Sequence, residues 1–246
     1  MLKKYEFTNE TREIEDYFGN PHTLHRIRAL KDFGSVKKGD LGGWIEKESN
    51  LSHEGNCWVY GNAQVYCNAM VYNDAQVYDD AQVLGDARVF CGAQVFGDAM
   101  IFVNAQVFGH AKIYDKGQVY GNAQVYDNAQ IYDEGEACGK ALVYNNARLY
   151  GKVRIDYNTK IYGNAQVYDY GNVAYAQVFG DAKIFGHAQV YDGAQVYGNA
   201  QVYDYAWVDN NAQVYDDAKV YDYARVDNSV VCGNTEVCGE TEIWGD

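Results

Sequence analysis

Residues 118–135 read QVYGNAQVYDNAQIYDEG, and the six-letter unit in that stretch recurs about thirty times between Val59 and Ile243. The unit is small, polar, aliphatic, aromatic, then two residues drawn mainly from Gly, Asn and Asp. A period of six matches no helix of about 3.6 residues per turn. In an extended segment alternate side chains leave opposite faces, so Ala and Val take one side and Gln and Tyr the other. The Gly/Asn/Asp pair is turn chemistry, because these residues tolerate positive φ.

A strand this short is not stable alone. Stacking successive units satisfies the backbone and buries the valines, which predicts a parallel β-solenoid. Three strands per turn close a triangular coil of about 18 residues, and the units fill about ten to eleven coils. The spacing loses one residue before Val178 and one before Val231, both at the same kind of corner, so later strands keep their inside and outside. The unit at Leu51 lies farther from Val59 than the period allows, which predicts a looser first corner.

The small-x-aliphatic pattern resembles the hexapeptide-repeat left-handed β-helix family. The resemblance implies an all-β, single-stranded left-handed parallel β-helix over residues 51–246, and left-handedness comes from it alone. Residues 1–50 lack the repeat and alternate in KKYEFT and LHRIRAL, which predicts a small N-terminal β cap over an open end of the solenoid. The stretch DFGSVKKGDLGGWIEKESNLSHEGNCWVYGNA, residues 32–63, resembles the opening of the YdcK-type members of that family. That resemblance implies a bacterial or prophage origin and no particular activity.

Each unit falls on one of three faces, named here A (from Val59), B (from Val65) and C (from Val71). Face A is expected to show Tyr60, Tyr78, Phe96, Tyr114, Tyr132, Tyr150, Tyr168, Phe185, Tyr203 and Tyr221. Face C shows Tyr72, Phe90, Phe108, Tyr126, Tyr144, Tyr162, Phe179, Tyr197 and Tyr215. Cys238 and Cys232 end these two rows. Face B runs Tyr66, Leu84, Phe102, Tyr120, Cys138, Asp156, Ala174, Tyr191, Asp209, Asp227 and Trp244. Two such aromatic rows form a patch larger than a monomer usually exposes. They predict self-association, as a trimer with face A meeting face C or as a dimer through one row, or a protein or carbohydrate partner.

Acyltransferases of the resembled family need a catalytic His, a loop thrown out of the coil and a C-terminal extension. His110 and His187 hold second corner positions and are the candidate bases, but they fall on different corners. No long loop interrupts the repeat. The reading from sequence is therefore a non-catalytic scaffold without cofactor, with a hexapeptide-repeat acyltransferase as the alternative. Cys91 and His110 share the corner from face C to face A on adjacent coils, a candidate Cys–His pair with no third group to orient it. No set of histidines or cysteines has metal-ligand spacing. Thr235 and Thr241 hold small-residue positions and are expected to point inward.

The formal charge is −14. Acid and base balance over the first fifty residues, so the surplus acid lies in the repeats. Such a surface repels nucleic acid and anionic lipid, which argues against direct binding to either. An acidic decoy of a nucleic-acid-binding protein is a third reading. The six cysteines form no compact framework, and no apolar leader or run of 18 apolar residues is present, so free thiols and a cytoplasmic location are expected.

Overall fold

The computed structural model describes residues 3–16 and 19–245. The chain is an all-β parallel solenoid of about eleven turns, with successive turns about 18 residues apart. It divides into two compact units, Met1–Gly121 and Asn122–Asp246. The only helical element among the described residues is a single 3-10 turn, Glu48–Asn50. None of the described helices is long and apolar enough to cross a membrane.

The first unit opens with an antiparallel arrangement. Strand β1 (Tyr5–Glu15) pairs with β2 (Pro21–Ala29), with a bulge between Phe7 and Thr11. β2 pairs in turn with β3 (Leu41–Ile45). β3 also lies parallel to the first face-B strand, Trp44 opposite Gln64 and Ile45 opposite Val65. It therefore lays the first rung of that face from within the segment that lacks the repeat. Gly43 takes the small position of this rung, where a Cβ would stand 2.6 Å from the Ala63 carbonyl oxygen and 2.7 Å from Val59 Cγ1. Leu51 bridges to Val71 and starts face C.

Within each unit the three faces are three parallel sheets. Valine pairs with valine, as in Val77 with Val95 in the first unit and Val178 with Val196 in the second. The regular strands are only two residues long, the polar residue and the aliphatic one. Backbone N–H groups of one turn donate to carbonyls of the next. Gln76, Tyr78 and Asp80 donate to Ala93, Val95 and Gly97 at 2.9, 3.0 and 3.1 Å. The corner thus belongs to the same ladder as the strand, which leaves few backbone groups unpaired. The inner Ala and Val side chains are almost all fully buried, and each buried Val contributes about 1.5–3 kcal/mol.

The first corner residue lies in the left-handed region, as at Asp79 (φ 60°) and Gly85 (φ 69°). Val103 (φ 62°), Tyr157 (φ 58°) and Tyr175 (φ 55°) hold this conformation without the turn chemistry that favours it. The shortened corners keep register: Val178 pairs with Ile161, and Val231 with Val214. Both valines remain buried. Between these two corners, in the same position, Asp192–Gly193 and Asn210–Asn211 place two consecutive residues at positive φ.

Two expectations need correction. Thr235 and Thr241 hold the small-residue position yet are exposed, unlike the buried alanines of the other turns. On face B, Tyr66, Cys138, Ala174, Asp209 and Asp227 take the outward parity yet are buried. Tyr66 is covered by the first unit's own opening strands, packing with Leu24 and Trp44. Cys138 turns its thiol back to the Ile155 carbonyl at 3.3 Å.

Candidate functional site

The aromatic residues of faces A and C stand one behind another within each unit. In the first unit Tyr78, Phe96 and Tyr114 stack at 4.8 and 4.9 Å, and Tyr72, Phe90 and Phe108 at 4.8 Å. Tyr60 departs, meeting Tyr78 edge-on at 6.3 Å. In the second unit Tyr132, Tyr150, Tyr168, Phe185, Tyr203 and Tyr221 form one column, every step 4.8–5.0 Å. Tyr126, Tyr144, Tyr162, Phe179, Tyr197 and Tyr215 form the other. The rings of these columns are parallel to within 8°.

This geometry decides what a partner meets. Parallel rings one rung apart cover each other's faces, so the columns present ring edges and hydroxyls. Tyr150 donates to Gln166 Oε1 at 3.2 Å and Tyr197 to Gln213 Oε1 at 3.4 Å. Burial, then neighbouring Tyr168, Tyr132 and Asp169, push the Tyr150 hydroxyl up to about 12. A sugar stacked flat on an inner ring would have to displace a neighbouring ring. Basic residues such as Lys112, Arg148, Lys183 and Lys219 share these faces with glutamines, while the Asp residues sit mostly at corners.

Face B of the second unit carries a charged group instead. Arg225 reaches Asp209 Oδ2 at 3.0 Å and Asp227 Oδ2 at 3.1 Å. Its guanidinium lies over Trp207 at 5.5 Å and Trp244 at 4.7 Å. Burial raises the Asp209 carboxyl, opposed by Arg225 and reinforced by Asp227. Asp209 Oδ1 and Arg225 Nε are buried without a partner.

Neither candidate base has a hydrogen bond to this group among the described residues. His187 is stacked between Tyr170 and Tyr205 at 4.7 and 4.8 Å. His110 is exposed, and its ring lies against the Gly92 backbone, where a Cβ would come within 2.8 Å of Nδ1. Cys91 is half-buried and makes no hydrogen bond with His110 among the described residues.

Sequence reasoning missed two clusters in the first unit. His22 has Nδ1 2.9 Å from Glu46 Oε1, Nε2 3.5 Å from Asp16 Oδ2 and 3.9 Å from Cys67 Sγ. Glu46 also accepts from the Cys67 amide at 2.7 Å. The Glu46 hydrogen bond raises the His22 pKa, burial opposes it, and Asp16 adds to it. Lys4 is fully buried, with Nζ 2.8 Å from the Cys57 carbonyl and 3.2 Å from its sulfur. Neither cluster has a spacing signal, because its members come from separate strands. Among the described residues no group of three or more His, Cys, Asp or Glu side chains is arranged to hold a metal. A shallow depression of about 340 Å³ lies among Ser35, Tyr60, Gln76 and Tyr78.

Comparison with known proteins agrees with the repeat. The YdcK β-solenoid repeat model matches residues 63–79 and 194–210, one stretch in each unit. A protein of Escherichia coli (strain K12) named "Uncharacterized acetyltransferase YdcK" is 40% identical over 62 residues. That match takes in 24% of this chain and 19% of the relative, so the chain spans about a fifth of the curated relative it matches. Residues 63–79 and 194–210 thus match the YdcK β-solenoid repeat, and both lie within turns of the solenoid.

Proposed function

We propose that the repeat turns are a binding and assembly surface, and that the first partner of faces A and C is a second copy of the chain. The observation that carries this is the contrast between faces. A and C hold aromatic columns, glutamines and basic residues, whereas B is interrupted by Cys138, Asp156, Ala174, Asp209 and Asp227. Face A of one copy against face C of the next closes a three-fold ring with face B outside. Such contact brings ring edges, hydroxyls and amides together and keeps most corner Asp residues at the rim. Light scattering on the eluting protein tests it. A mass of three chains supports the ring, two chains supports contact through one column, and a single-chain mass at micromolar concentration contradicts the reading.

The name of the Escherichia coli relative favours acetyl transfer as a second reading. His110 or His187 would then be the base, at an interface between copies. A clear rise in melting temperature with acetyl-CoA, abolished by the corresponding His→Asn change, would put this reading first. An unchanged melting temperature supports the assembly reading.

A further inference from the structure

The repeat breaks its own turn grammar at one corner of the second unit. Residues 167–171 read VYDYG, and residues 202–206 and 220–224 read VYDYA, with IFGHA at 184–188 between them. The second corner position, elsewhere mostly Asn, Asp or Gly, holds Tyr170, His187, Tyr205 and Tyr223. These rings stack at 4.7, 4.8 and 5.2 Å. Tyr170 and Tyr205 are 52% exposed and Tyr223 is 65% exposed, so the bend gains no buried core from them. Asp169, Asp204 and Asp222 occupy the preceding position, between this column and the face-A column of Tyr168, Tyr203 and Tyr221.

The corner is thus a file of carboxyl groups, broken at Gly186, between two files of ring edges; Asp169 Oδ2 accepts from the Gly186 amide at 3.4 Å and Asp222 Oδ2 from the Gly239 amide at 3.0 Å. Asp204 and Asp222 stand at equivalent positions one rung apart, about 4.8 Å, where like charges repel. On the flanking faces Lys219 pairs with Glu236 at 2.8 Å and Arg225 with Asp209 and Asp227. With ring faces covered, what remains for a ligand is a row of oxygen acceptors beside apolar edges.

We propose that this corner binds an extended Lys/Arg-rich segment of a partner polypeptide. A guanidinium or ammonium relieves the repulsion between Asp204 and Asp222, and a planar guanidinium takes a carboxylate with two hydrogen bonds. The aliphatic stem behind each cation lies along the exposed ring edges. The surplus acid of the repeats adds long-range attraction for a basic partner and repels phosphate-bearing ones. The site lies at the corner between faces A and B, with Tyr170, Tyr205 and Tyr223 on its face-B side.

The test is a titration of labelled octa-arginine peptide by fluorescence anisotropy against the intact chain, with light scattering on the same samples. Saturable binding is expected, weakened about tenfold or more between low and moderate salt. Replacing Tyr205 and Tyr223 together by Ser keeps every charge and is expected to weaken binding about tenfold. Asp204→Asn with Asp222→Asn changes no ring and is expected to do the same, which covers the case in which the Tyr variant fails to fold. Val103→Asn, in the other unit, is expected to bind as the parent does. The proposal is overturned by absence of binding, or by a folded Tyr or Asp variant that binds like the parent. It is also overturned if binding grows only in step with chain mass, which would assign the corner to a second copy.

Discussion

Lys4 buries its ammonium group 2.8 Å from the carbonyl oxygen of Cys57 and 3.2 Å from its sulfur. The Glu54 and Gly55 carbonyls stand at 3.5 and 3.4 Å, and the Phe33 ring at 4.9 Å. Burial lowers the Lys4 pKa, and Cys57 opposes the shift. Lys4→Met keeps the volume and strips these acceptors of their donor. The expected loss is about 1–3 kcal/mol in urea unfolding, read from the first unit. An unchanged midpoint would show that water replaces the amine without cost.

Thiol reactivity should follow exposure and pKa. Cys57 is buried, and burial raises its thiol pKa; Cys138 is buried too, while Cys238 is exposed. Timed iodoacetamide labelling read by peptide mass is expected to modify Cys238 early and Cys57 and Cys138 only on unfolding. Early labelling of Cys57 would mean that the opening strands detach from the turns.

His22 gives a pH signature. Its folded pKa lies above the ordinary imidazole value, chiefly through Glu46. A raised folded pKa contributes stability that is complete below the unfolded value and fades as pH rises through the folded one. The melting temperature should therefore fall across that window, and the fall should shrink in His22→Asn. Equal slopes in both proteins would remove His22 from the account.

Val103 pays for a left-handed backbone with a β-branched side chain that is 46% exposed. Val103→Asn is expected to stabilise the first unit by about 1 kcal/mol in thermal unfolding. In the opposite sense, Tyr150→Ser removes two stacked neighbours and the hydrogen bond to Gln166. It is expected to cost about 1–3 kcal/mol. A neutral Tyr150→Ser would mean that the columns contribute nothing to folding.

The solenoid was legible because its constraint is local. Spacing of six and strict alternation place Val77 and Val95 inside without knowledge of any other segment. What failed was whatever needs a neighbour to cover it. Tyr66 and Asp209 have outward parity, but Leu24 and Trp44 close over one, and neighbouring turns over the other. His22, Asp16, Glu46 and Cys67 meet only because β2 and β3 carry the opening strands onto the first turn. The corner column of Tyr170, His187, Tyr205 and Tyr223 was readable, since its spacing follows the repeat. It shows only when His187 is taken together with the tyrosines in register, since a single corner histidine resembles an isolated base.

The central claim is that the aromatic faces meet a second copy. Light scattering of the parent chain beside a face-A variant carrying Tyr150→Ser and Tyr203→Ser tests it most directly. The expected result is a mass of three chains for the parent and one for a variant that still shows the β-sheet circular dichroism of the parent. A parent that elutes with the mass of a single chain, or a folded variant that keeps the parent's mass, would contradict the claim.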